Sequence, residues 1–174
     1  NKLSDYHQLG LYSAAAQWGG IVTYIPGVLQ NVMLSHLSTS EARHGDSAKL
    51  LHRMLLMNFT VTFIPFVIVF TLSGFIASMY GQSYVDLPPV LNICVITAIF
   101  NCLIQVYIQE YISQGRTWTL CMIRTFRDVS SLILAWILII TFTHMAEAVL
   151  YVMAYAIMSI VGLLVLALLH KTVS

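Results

Sequence analysis

The chain has 174 residues, of which 59% are hydrophobic and only 9% charged, and its mean hydropathy is +0.83. A soluble domain carries about a quarter charged residues, so too few polar groups are present to cover a water-exposed surface. The net charge of +1 comes without a basic tail, which leaves no footing for a nucleic-acid partner.

The opening stretch NKLSDYHQ is polar, and the apolar run behind it is too long for the core of a secretory signal. Because the chain begins on Asn1 just before that run, it is expected to be a piece of a longer protein, cut in a loop. Apolar runs of about 20 residues, the length that crosses a bilayer as helix, then follow one another. They place helices over about 11–37, 53–79, 89–112, 117–143 and 147–169. Strict alternation, the mark of a spanning β-barrel, is missing from them. The expected fold class is all-α: a multi-pass integral membrane bundle of about five transmembrane helices, one partial lobe covering 1–174.

The connections differ in charge. Residues 38–53 hold Arg43, Lys49 and Arg53 beside Glu41 and Asp46, and residues 113–117 hold Arg116. Residues 80–88 and 143–147 hold no Lys or Arg, and the chain closes on His170 and Lys171. Lys2 apart, basic residues thus alternate with helix count, and the positive-inside rule puts the 38–53 and 113–117 loops and the C-terminus in the cytoplasm. The 38–53 segment also spaces Leu50, Leu51 and Met54 as a helix would; it reads either as a short interfacial helix or as a solvated connection.

Polar side chains inside a bilayer point at other helices or at water rather than at lipid, so their spacing locates the interior. On the first helix Gln17, Tyr24 and Asn31 recur at seven-residue intervals, and on the third Thr97, Asn101, Gln105 and Gln109 recur every fourth residue. Thr117, Cys121, Arg124, Asp128 and Ser131 form the stripe of the fourth, and Glu147, Tyr151, Tyr155 and Ser159 that of the fifth. Such seams serve either as polar glue between helices or as the wall of a hydrated cavity.

The fourth helix carries the sharpest signal. An Arg at mid-bilayer costs on the order of 2.5–3.5 kcal/mol, and two stand here beside one Asp. Arg124 and Asp128, four apart, are expected to pair, which leaves Arg127 as a net positive charge. Arg127 either snorkels back to headgroups or faces a water-filled cavity and meets an anion, plausibly phosphate, through its forked donors. Glu110 is expected to pair with Arg116 at the boundary, and Glu147 to complement a helix N-terminus. His36, His44, His52, His144 and His170 fall at loop margins, and His44 with Asp46 reads as a solvated pair. Cys94, Cys102 and Cys121 read as small core residues, without a metal or disulfide pattern. Pro26-Gly27 and Pro65 open positions for bends. The candidate substrate-binding set is Arg127, Arg124, Asp128, Gln105, Asn101 and Gln17, with no catalytic residue, metal or cofactor expected.

Three stretches carry a family likeness. GLYSAAAQWGGIVTYIPGVLQNVMLSHLS resembles the eighth span of bacterial oligosaccharide flippases, with a Gly-Tyr-Ser/Asn-Ala-Ala lead-in and Gln-Trp ahead of an Ile-Pro and a cytoplasmic Leu-Ser. SMYGQSYVDLPPVLNICVI resembles their outer loop, and YISQGRTWTLCMIRT is similar to their Gly-Arg/Lys loop between the tenth and eleventh spans. The usual Leu-Pro near the end of the eighth span reads Leu34-Ser35 here. The resemblance covers essentially the entire chain as the last five of about twelve spans. It implies a multidrug and toxin extrusion-like fold, two six-helix lobes around a central cavity, with the N-terminal lobe and the seventh span outside this chain. It also implies a function: moving lipid-linked oligosaccharide repeats on undecaprenyl diphosphate across the bacterial inner membrane for O-antigen or capsule synthesis. The alternatives are a multidrug exporter of the same fold, which needs an acidic cavity residue, and a membrane enzyme of polysaccharide assembly, which needs a large outer loop bearing Arg or His.

Overall fold

The computed structural model describes residues 2–42, 47–142 and 145–173; the side chains of 2–5, 30–42, 47, 48, 50 and 171–173 are not described. The expectations that fall on the side chains of Asn31, His36 and Glu41, and on Arg43, His44, Asp46 and His144, lie outside the described residues. The described chain is helical throughout: α1 (Lys2–Ala42), α2 (Ser47–Thr71), α3 (Ser73–Tyr80), a 3₁₀ turn (Gln82–Tyr84), α4 (Leu87–Ser113), α5 (Thr117–Thr141) and α6 (Glu147–Val173). Stretches of three of these, Leu51–Thr71, Leu87–Ser113 and Glu147–His170, are long and apolar enough to cross a membrane. This is the make-up of a helical membrane protein. In α1, Gln17, Gly19, Gly20 and Thr23 dilute the apolar residues, and no stretch of α5 of spanning length avoids Arg124, Arg127 and Asp128.

The helix expected over 53–79 is divided at Leu72. Ladder bonds continue across the division, Leu72 N donating to Ile68 O (3.0 Å) and Ile76 N to Leu72 O (2.8 Å). Thr71 Oγ1 bonds back to Val67 O (2.8 Å), and Ser73-Gly74 follows; both features bend helices. Pro26 and Pro65, by contrast, lie inside unbroken helices. Among the described residues of the charged segment near 38–53 no separate interfacial helix occurs. Residues 38–42 continue α1, and Ser47 already opens α2, whose Leu51 and Met54 are buried against Val106 of α4.

Two turns depend on glycine. Gly81 (φ 91°) leaves α3, and Gly115 (φ 71°) ends α4, left-handed values that other residues adopt only with strain. At Gly115 the amides of Gln114, Gly115 and Arg116 return to the carbonyls of Glu110, Ile112 and Tyr111, closing the helix end. α4 opens on Leu87-Pro88-Pro89, where the missing N–H groups would have had no helical partner.

α4 is the central element and packs against α1, α2 and α6, whereas α5 rests almost entirely on α6. Leu87, Val90, Leu91 and Val95 of α4 meet Leu11, Ala15 and Val22 of α1 with no exposure at all. One end of the bundle gathers the start of α1, the 3₁₀ turn and the start of α6: Ala148 N donates to Gln8 Oε1 (3.2 Å), and the His7 and Tyr84 rings lie 6.5 Å apart. At the other end His170 Nε2 of α6 meets Glu110 Oε1 of α4 (3.3 Å). The Glu110–Arg116 pair is therefore corrected: α6 brings His170 to the carboxylate, and Arg116 is exposed at the turn.

Candidate functional site

A groove runs between α1, α4, α5 and α6. Its polar section encloses about 350 Å³, with Asn101, Gln105, Arg124, Arg127, Tyr155 and Thr23 among its walls. An apolar section of about 200 Å³ continues it toward Tyr12 and Tyr151, and Thr23, Asn101 and Tyr155 belong to both. The Tyr12 and Tyr151 rings meet edge to face at 5.1 Å. On α1 the groove is lined by Ala16, Gly19, Thr23 and Gly27, small residues three or four apart that hold one helix face back.

Three of the four residues of the α4 stripe face this groove: Thr97 and Asn101 line the apolar section and Asn101 and Gln105 the polar one, whereas Gln109 is buried and lines neither. On α6, Tyr151 and Tyr155 line it, while Ser159 is buried and donates to Asn101 Oδ1 (3.3 Å). Asn101 therefore serves both as glue and as groove wall. Gln17 and Tyr24 are exposed and belong to neither section. The face of α1 that matters is one without polar spacing, carried by small residues. On α5 only Ser131 of the predicted stripe is buried; Thr117, Cys121, Arg124 and Asp128 are exposed, so Cys121 is not a core residue.

The charges on α5 exchange the roles expected of them. Asp128 Oδ1 accepts from Arg127 Nε (2.9 Å) and Nη2 (2.7 Å), not from Arg124. Adjacent residues on a helix do not ordinarily face each other; here the surroundings of Arg127 turn its long side chain. Its stem lies over Gly162 of α6, where a Cβ would come within 3.0 Å of Arg127 Cδ. Its guanidinium sits 5.8 Å from the centre of the Tyr155 ring, within cation–π range. The Arg127 side chain is 11% exposed and that of Asp128 53%. Arg124 has no ion pair among the described residues. Among the described residues it is the uncompensated cation of the groove, and the described part of the groove wall holds no Asp or Glu.

Two polar contacts between helices were not foreseen, one from α2 to α4 and one from α1 to α6. Asn58 of α2, fully buried, donates from Nδ2 to Cys102 O (2.6 Å), and Gln8 caps α6. A lone amide in an apolar run is the signal that could have exposed the first. No group of three His, Cys, Asp or Glu able to hold a metal occurs among the described residues. Chemically, the described residues of the polar section offer one bare guanidinium, one tied to a carboxylate, two amides, a hydroxyl and a phenol: a donor set for a phosphate-like anion.

Compared with protein-family models, with curated proteins and with solved structures, the chain matches none.

Proposed function

We propose that this chain is part of a membrane transporter that flips undecaprenyl-diphosphate-linked oligosaccharide repeats across the bacterial inner membrane, from the cytoplasmic to the periplasmic side. The reading takes five spans, with Arg116 and the end of α6 on the cytoplasmic side and a missing N-terminal lobe completing the cavity. The observation that carries it is the excess of cation over carboxylate among the described residues of the groove wall, where Arg124 has no ion pair. A diphosphate brings at least two negative charges, and a guanidinium meets its oxygens with two parallel N–H donors. Gln105 and Asn101 stand along the same wall to add neutral hydrogen bonds, and Arg127, already neutralised by Asp128, would shape the site more than charge it. No covalent step is required: rocking of one lobe against the other would expose the groove to each side in turn. A drug exporter of the same fold is less well supported, since its cationic substrates need a carboxylate and the described residues of this wall include none.

The test is Arg124→Ala in the full-length protein, in cells whose surface polysaccharide depends on it. The expected outcome is loss of that polysaccharide by tenfold or more with protein level unchanged. A wild-type polysaccharide profile overturns the reading.

A further inference from the structure

A second cavity lies on the far side of Arg127. It encloses about 270 Å³ between α5 and α6 and is walled by Met122, Phe126, Met158, Val161, Gly162 and Val165. Among the described residues Arg127 is the one common to this apolar groove and the polar one. Its methylene stem crosses the gap that Gly162 leaves open, while its charge is turned back onto Asp128 and Tyr155. An apolar slot and a cationic pocket thus adjoin across a single side chain, the layout that an amphiphile with an anionic head and a long chain would fit. A hydrocarbon chain already in a bilayer gains no hydrophobic energy by entering an apolar groove. Selection must therefore come from the head, and Arg124 supplies the charge complementarity. Methionines at two corners adapt to an irregular chain.

We infer that the α5–α6 groove seats the hydrocarbon chain of the anionic lipid whose headgroup meets Arg124, with the Arg127 stem as the partition between chain and head. The inference rests on the proposed function and names where the lipid part of the substrate lies.

The experiment uses the full-length protein in phosphatidylcholine vesicles containing a trace of polyprenyl diphosphate with a diazirine in its chain. Diazirine-tailed phosphatidylcholine at the same mole fraction is the control. Light should place the polyprenyl label on peptides spanning Met122–Phe126 and Met158–Val165, at least fivefold above the control. Arg124→Ala should bring it down to the control level. Val161→Trp, which fills the groove, should do the same while leaving binding of inorganic pyrophosphate within twofold of wild type. Equal labelling by the two lipids in the wild type, with pyrophosphate still bound through Arg124, overturns the chain seat and leaves the proposed function standing. Failure of wild-type protein to bind pyrophosphate overturns both.

Discussion

Gly162 decides where Arg127 points. A glycine in the interior of a helix costs helix propensity, about 1 kcal/mol against alanine, and here the arginine stem lies in the space a side chain at 162 would take. With the stem in that gap, the guanidinium reaches Asp128 Oδ1 at 2.7 Å and lies near Tyr155. A methyl group at 162 would stand 3.0 Å from Arg127 Cδ and 3.5 Å from Cγ, tighter than most packed carbons, so the arginine stem must give by a few tenths of an ångström. Gly162→Ala is expected to destabilise the protein by about 1–2 kcal/mol despite the better propensity, as overpacking does. In an Arg127→Ala background the same change should be neutral or stabilising. A double-mutant cycle by reversible detergent unfolding measures the coupling; a value near zero rejects the Gly162–Arg127 contact.

Among the elements, α4 was the most legible and α5 the least. The four-residue spacing of Thr97, Asn101 and Gln105 put those side chains on one face, and a central helix has neighbours on every side, so that face had to meet another helix. On α5 periodicity grouped Thr117, Cys121, Arg124, Asp128 and Ser131, of which only Ser131 is buried, and it gave the wrong partnership for Asp128. Spacing knows only the helix's own geometry; the Arg127–Asp128 pair is imposed by Gly162 and Tyr155 from α6, which no pattern within α5 contains. α1 misled for a related reason. Its groove face is small rather than polar, so polar spacing points instead to Gln17 and Tyr24, which lie on a different, exposed side. Asn58 shows how two elements are pinned: its Nδ2 donates to Cys102 O at 2.6 Å, and Thr62 Oγ1 returns to Asn58 O at the same distance. Removing that amide should cost about 1–2 kcal/mol, a hydrogen bond between membrane helices plus a small void. Asn58→Ala measured by unfolding in micelles should show this loss, while Asn58→Leu should be nearly neutral. A neutral Asn58→Ala rules out the α2–α4 pin.

For the molecule as a whole, the open question of topology is concentrated in α5. Three charges within five residues argue against burial in hydrocarbon, since each unpaired one costs on the order of 2.5–3.5 kcal/mol at the centre. The structure lowers that cost in two ways. Arg127 and Asp128 neutralise each other, and Arg124 borders a polar groove. Position matters as well: at 1.5 Å per residue, Arg124 lies roughly 10 Å along the helix from Thr117, and the pair roughly 15 Å. Beyond them Leu132, Ile133, Trp136, Ile137 and Ile140 are at least half exposed on the outer surface of the bundle, as residues that face lipid would be. A spanning α5 would therefore bury one bare cation near a boundary, not three charges at the centre. Single cysteines at Arg116 and at Met145, with Cys94, Cys102 and Cys121 changed to Ala, should react with an impermeant maleimide from opposite sides of the membrane. Reaction of both from one side would mean that α5 lies along the surface, and the five-span topology would fall with it, because α6 would then cross in the reverse direction and its end would leave the cytoplasmic side that the basic residues assign to it.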